Sequence, residues 1–206
     1  MENKRLRFGP ALGQAITIGL KNIPSLIGAS VLWTLTCWIP YINVGTTIAI
    51  ASIPIELSKG KMMNPLSIFS SKYRRYMGEF FLTKMLSGFG TFFGLLFLII
   101  PGFVISISWS QAFYILIEKG KNPAEAIKAS NDATYGSKWI IFLLNLTLQA
   151  AALFLLWFII SICLMINGTF GAILLVLFCA AWLLCYLAVT ISLRASIWRQ
   201  LKENVQ

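Results

Sequence analysis

The chain has no histidine at all, and only seven acidic residues in 206. Without imidazole there is no histidine metal site and no histidine acid–base pair. Charge of either sign is scarce. Charged residues make up 12% of the chain, about half of what a soluble domain carries. None lies between Lys21 and Glu56, between Lys84 and Glu118, or between Lys138 and Arg194. A soluble chain of this length would have to bury all three runs, which its surface-to-volume ratio forbids. A bilayer accepts each of them, because roughly 20 apolar residues cross its hydrocarbon. Cysteine is also sparse. Cys37, Cys163, Cys179 and Cys185 fall inside apolar runs without CxxC spacing and read as small packing residues. Enzyme signatures are missing too: there is no nucleophile elbow, no phosphate loop, no HExxH and no carboxylate pair at membrane depth. The chain reads as a non-enzyme with no cofactor. The first apolar run starts late and leads into further membrane-length runs, which argues against a cleaved signal peptide.

What the chain does have is apolar sequence, 58% of its residues, and a net charge of +10. The basic residues sit between the apolar runs. Residues 1–22 carry +3, 56–84 carry +4, 118–138 carry +1 and 194–206 carry +2. Basic loops stay on the cytoplasmic side, so the charge reports topology and attraction to anionic lipid headgroups, not nucleic acid binding. Both termini are then expected on the cytoplasmic side of the inner (cytoplasmic) membrane.

Turn signals divide the runs. Pro10 to Lys21 reads as a helix on the membrane surface, with Leu12, Ala15, Ile16 and Leu20 on one face. Pro40-Tyr41-Ile42-Asn43 splits the first run into crossings at 23–39 and 43–58. Pro101-Gly102 splits the second into 79–99 and 102–118, and Asn167-Gly168 divides 139–193. The expected fold is all-α: a single membrane domain over 1–206, with six transmembrane helices in three hairpins and amphipathic helices on the cytoplasmic surface. An internal repeat supports it. Lys59-Gly60-Lys61-Met62-Met63-Asn64-Pro65 and Lys119-Gly120-Lys121-Asn122-Pro123 match, and thirteen residues separate Pro65 from Gly78 and Pro123 from Gly136. Each asparagine suits an N-cap with proline following, and Glu125 is placed for a capping box. Pro10 opens a weaker copy. The repeat units are 9–58, 59–118 and 119–193, with 194–206 as a tail.

Polar residues inside these runs are the candidate site. Gly90 and Gly94 have GxxxG spacing, and Gly102, Ser106 and Ser110 continue small residues every fourth position. Such faces let helices approach closely, which assigns Gly90, Gly94 and Gly102 to helix packing or an oligomer contact. Ser106, Ser110 and Gln111, with Ser108 nearby, could instead line a polar path. Asn145 and Gln149 share a helix face that Thr147 does not. Glu56, Glu79 and Lys84 lie nearest the membrane core; Glu56 joins the candidate path, and snorkelling would satisfy Lys84. Lys72, Arg74, Arg75, Asp132 and Lys138 are candidates for lipid contact or docking of a cytoplasmic partner, with Asp132 and Lys138 in the distinctive string 130–138. Asn145-Leu146-Thr147 and Asn167-Gly168-Thr169 match the glycosylation triplet, the first within a crossing.

Ile100-Pro101-Gly102, Tyr114-Ile115-Leu116, Ala126-Ile127-Lys128-Ala129-Ser130 and Tyr135-Gly136-Ser137-Lys138-Trp139 with Phe142 resemble a group of bacterial multi-pass membrane proteins. The group comprises DUF975-like proteins and the membrane domain attached to some glycerophosphodiester phosphodiesterases. The resemblance covers mainly residues 95–145 and implies topology, not a ligand set. The phosphodiesterase domain and its catalytic residues are not in this chain. These readings lead to a small channel or transporter, expected as a homo-oligomer. The rival is a membrane scaffold that binds an unidentified protein or anionic lipid through its basic face.

Overall fold

The computed structural model describes residues 5–62, 64–166 and 168–205. Its eight α-helices are, in chain order, α1 (Phe8–Thr36), α2 (Pro40–Ser58), α3 (Met77–Phe97), α4 (Ile99–Ser108), α5 (Ala112–Lys119), α6 (Pro123–Thr134), α7 (Lys138–Met165) and α8 (Thr169–Leu201). Two short 3₁₀ helices, Pro65–Phe69 and Ser71–Tyr76, join α2 to α3, and a third, Lys202–Asn204, comes after α8. Among the described residues, five stretches are long and apolar enough to cross a membrane: Phe8–Thr36, Ser71–Phe97, Ile99–Lys119, Lys138–Met165 and Thr169–Asn204. The chain is therefore an all-α polytopic membrane bundle. α2 is not among the five, so the expected count of six is not reached on length and composition. The break at Asn167, the glycosylation triplet beginning there, and Lys4 and Met63 of the basic strings lie outside the described residues.

The core gathers at one end of the bundle. The C-terminal half of α8 buries Ile191, Leu193, Ala195, Ile197, Trp198 and Leu201 against α1, α2 and α7. Trp198 is fully buried, its ring 5.7 Å from that of Tyr114. Its indole donates to Glu118 Oε2 at 2.6 Å, and Glu118 also pairs with Lys59 at 3.3 Å. The other halves of α7 and α8 expose Phe154, Trp157, Phe170 and Val176. Such a surface suits hydrocarbon and would be costly in water.

α1 differs from the surface helix and separate crossing expected of it. One 29-residue helix runs through Pro24. Its small face holds it: Ser196 Oγ donates to the Ala11 carbonyl at 2.6 Å, and a Cβ on Gly19 would lie 3.3 Å from Ser192 Oγ. Ala15 is buried with that face, whereas Leu12, Ile16 and Leu20 point outward. In a membrane the small residues pack and the large apolar ones meet lipid.

Each of the two matching strings carries an asparagine N-cap. Gly60 and Gly120 take positive φ, 76° and 66°, as left-handed turns after α2 and α5. Asn64 Oδ1 accepts from Leu66 N at 3.0 Å, and Asn122 Oδ1 from Glu125 N at 2.9 Å. Beyond the caps the two strings lead into different structure, two 3₁₀ helices after Asn64 and a regular α-helix after Asn122. The 3₁₀ segment lies along α2. Lys72, Tyr73 and Tyr76 meet Ser52, Ile55 and Glu56, while Arg74 stacks over the Tyr41 ring at 5.2 Å.

Two helix breaks shape the site. α3 ends at Phe97, and the extended Leu98 turns the chain directly into α4. Pro101 therefore falls in the first turn of α4, where its missing N–H is no loss, and the turn comes three residues before the expected Pro101-Gly102. The second break has no proline or glycine to announce it. The crossing Ile99–Lys119 is interrupted at 109–111, between α4 and α5.

Candidate functional site

The break between α4 and α5 leaves backbone groups without helical partners. Ala112 N turns to Trp109 O, and Ser110 N to Ile107 O. The Ser108 carbonyl and Gln111 N–H are thus left over, and both are satisfied from α6. Ser130 Oγ donates to Ser108 O at 2.6 Å and accepts from Gln111 N at 3.2 Å, with Thr134 Oγ1 a second donor to Ser108 O at 3.4 Å. Irregular backbone is tolerated in a membrane where protein groups satisfy it in this way. α6 turns Ala126, Ser130, Ala133 and Thr134 inward and leaves Glu125, Lys128 and Asp132 exposed.

Beside this break a cavity of about 830 Å³ opens between the α3–α4 hairpin, α5, α7 and α8. α3 contributes Thr83, Lys84, Ser87 and Thr91, a spacing that keeps them on one helical face. The broken helix contributes Ser106, Ser110, Gln111 and Tyr114, α7 contributes Asn145 and Gln149, and α8 contributes Arg194. Five of the six expected path residues therefore meet here. Glu56 does not. It lines a separate hollow of about 170 Å³ with Lys72, Tyr73 and Tyr76.

Several of these side chains are held in place. Asn145 Nδ2 donates back to Ile141 O at 2.8 Å, and Tyr186 donates to Gln149 Oε1 at 2.9 Å, tying α7 to α8. Gln111 Nε2 donates to Ser110 Oγ at 2.9 Å. Thr147 bonds its own helix at Leu143 O and does not line the cavity. Thr83 Oγ1 and Gln111 Oε1, on residues only 1% and 3% exposed, have no hydrogen-bond partner among the described residues.

Two cations on the cavity wall set its electrostatics. Lys84 is seven residues from the start of α3, and Arg194 is seven from the end of α8, about 10 Å along each helix. Lys84 Nζ lies 5.9 Å from the Phe80 and Phe113 rings. Arg194 lines the same cavity as Lys84 and Tyr114, so two positive charges face one space. No acidic side chain lines the cavity among the described residues. By sequence Lys84 has the place of a snorkelling residue, and Arg194 that of a charge of the tail. The signal that separates Lys84 from an ordinary flanking charge is the repeated polar position along α3: Lys84, Ser87 and Thr91 within an apolar run.

The chain matches no family model, no curated protein and no solved structure.

The remaining candidates are placed elsewhere. Gly90, Gly94 and Gly102 lie in the α3–α4 contact. A Cβ on Gly94 would stand 2.9 Å from Gly102 Cα, one on Gly102 2.6 Å from Leu95 N, and one on Gly90 would collide with the Trp109 ring. Lys72 lies over the Tyr73 ring at 4.8 Å, Arg74 over Tyr41, and Arg75 is exposed in the same turn. Lys138 Nζ donates to Asn131 Oδ1 at 3.0 Å, and Ser137 Oγ accepts from Leu6 N at 2.9 Å. The string 130–138 thus anchors the N-terminal segment through Ser137, and Asp132 also has a partner.

Proposed function

We propose that the protein is a small membrane transporter that binds its solute in the cavity beside the α4–α5 break. The observation that carries this reading is the convergence of polar side chains from α3, the broken α4–α5 helix, α7 and α8 on one cavity at a discontinuous helix. Discontinuous crossings are where transporters place substrate groups. Beyond Thr91 and Ser106 the wall becomes Phe92, Leu95 and Phe103. A lining that is polar at one end favours binding and release over a continuous water-filled pore.

Proteoliposomes test this with three probes: labelled phosphatidylglycerol and phosphatidylcholine followed between leaflets, and inorganic phosphate followed into the lumen. Protein-dependent movement of at least one probe is expected, with Ser106→Trp reducing it at least about tenfold by filling the cavity. No movement of any probe by folded, inserted protein, and no effect of Ser106→Trp on lipid binding, would favour the scaffold. The scaffold reading draws its own support from Lys72, Arg74 and Arg75, a basic group suited to anionic headgroups.

The same cations inform topology. At about 1.5 Å per residue, α2 is roughly 28 Å long, close to the hydrocarbon thickness. Crossing the bilayer would put Tyr41 on the side opposite Lys59. Yet Arg74 stacks on Tyr41, and its Cγ is 3.0 Å from the place of a Cβ on Gly45. Holding Lys72, Arg74 and Arg75 out of hydrocarbon brings the α1–α2 tip to the basic face. The hairpin then lies against the cytoplasmic interface, with the exposed Lys21 midway along α1. In a chain with its four cysteines replaced, Trp38→Cys at the 87% exposed tip should react with an impermeant maleimide in inverted vesicles and not in intact cells. Reaction in intact cells would restore the three-hairpin topology.

A further inference from the structure

Among the described residues, two positive side chains and no negative one line the cavity. Lys84 and Arg194 come from separate hairpins, each about two turns from the end of its helix, and line the same cavity. Like charges at membrane depth are costly and are held where something offsets them. Among the described cavity-lining residues, no carboxylate does so. The remaining polar groups complement an anion: the hydroxyls of Thr83, Ser87, Thr91 and Ser106 can all donate. Thr83 Oγ1 is buried without a hydrogen-bond partner, and Gln111 Oε1 is a buried acceptor still open to a hydroxyl.

The opposite wall is apolar and reaches the outer surface. Phe92, Phe103 and Leu146 line the cavity yet remain 57%, 52% and 50% exposed. They lie on helices long and apolar enough to meet lipid, so the cavity opens sideways into hydrocarbon. A volume of about 830 Å³ far exceeds what a bare phosphate or chloride needs and falls in the range of sites that enclose a sizeable organic ligand.

We infer that the cavity takes an anionic amphiphile: a phosphate or carboxylate held between Lys84 and Arg194, with its chain along Phe92, Phe103 and Leu146. This rests on the reading of the cavity as the solute site, but it concerns binding alone. The guanidinium can bridge two oxygens of such a group, and the lysine supplies a compact charge beside it. Entry is lateral, from the bilayer, past Phe92, Phe103 and Leu146.

The test is native mass spectrometry of the full chain in detergent, titrated with phosphatidylglycerol, phosphatidylcholine or inorganic phosphate. Phosphatidylglycerol should be retained about tenfold more tightly than phosphatidylcholine. The Lys84→Gln/Arg194→Gln double variant should lose that preference, Lys84→Arg should keep it, and Lys128→Gln, exposed on α6 outside the cavity, should leave it unchanged. Removing one of two like charges that face one cavity should also raise the unfolding temperature of Lys84→Gln without anionic lipid, which separates lost binding from lost folding. Equal retention of both lipids would overturn the inference. So would a preference that survives the double variant, since it would belong to the basic segment, and so would binding of phosphate without lipid preference. Retention of phosphatidylglycerol by a protein that moves no probe in liposomes would leave the inference standing and sink the transport reading.

Discussion

Gly102→Val should destabilise the protein more than any other single glycine substitution in the α3–α4 hairpin. A Cβ at 102 meets Leu95 at both its side chain and its backbone nitrogen, the latter 2.6 Å away. Backbone cannot step aside as the end of a long side chain can, so the helices must separate. Separation would also break the Gly94 contact, where Gly102 Cα is 2.9 Å from the place of a Cβ and Ile105 Cδ1 is 2.8 Å away. Overpacking of this kind costs about 1–3 kcal/mol and occasionally more. In a bilayer no hydrophobic force between helices offsets the loss. Gly88 supplies the control, because it lies on the same helix with nothing within 4 Å of a Cβ. Gly88→Ala should be neutral or stabilising by up to about 1 kcal/mol, the helix-propensity difference. Reversible unfolding in mixed micelles, followed by tryptophan fluorescence, should give the order Gly102→Val, then Gly94→Ala, then Gly88→Ala. Equal losses at 102 and 88 would mean that the hairpin is not packed through its glycines.

Much of this fold is legible because membrane burial is written in composition. Three charge-free runs mark the apolar helices, and proline or glycine marks the neighbourhood of each turn between them. The asparagine caps at 64 and 122 are legible for the same local reason: cap, proline and first turn all lie within four residues. Features that depend on distant partners are not. Pro24 should interrupt a helix, yet α1 continues because its small face rests on Ser192 and Ser196 of α8. The stretch 65–76 has the pattern of an amphipathic α-helix but winds as 3₁₀ turns along α2. The cavity residues are half legible. Ser106, Ser110, Gln111, Asn145 and Gln149 stand out as polar positions in apolar runs. Lys84 and Arg194 sit at the ends of such runs, where a basic residue is ordinary. Only the tertiary fold brings those two to one cavity, 110 positions apart in the sequence.

The break between α4 and α5 provides the second large effect. Ser130→Ala removes one hydroxyl but weakens the bonding of two backbone groups: Gln111 N–H loses its acceptor outright, and Ser108 C=O keeps only the long bond from Thr134 Oγ1 at 3.4 Å. Leaving a buried donor or acceptor unsatisfied costs about 1–3 kcal/mol and the weakened bond adds to it, so a loss of roughly 2–4 kcal/mol is expected. Part of that loss can be avoided by straightening the helix, because Gln111 N and Ser108 O would find Ile107 O and Ala112 N in a regular turn. Straightening would rotate Ala112–Lys119 relative to Ile99–Ser108 and carry Ser110, Gln111 and Tyr114 away from Arg194. Ser130→Ala should therefore lower both stability and occupancy of the cavity, whereas Ser130→Thr, which retains a hydroxyl, should restore much of each. Hydrogen exchange at the Gln111 amide distinguishes the two responses. Faster exchange means that the break persists with an orphaned N–H, and slower exchange means that the helix has closed over it. Unchanged exchange together with unchanged stability would show that Ser130 does not hold the break, and the cavity's shape would then need another support.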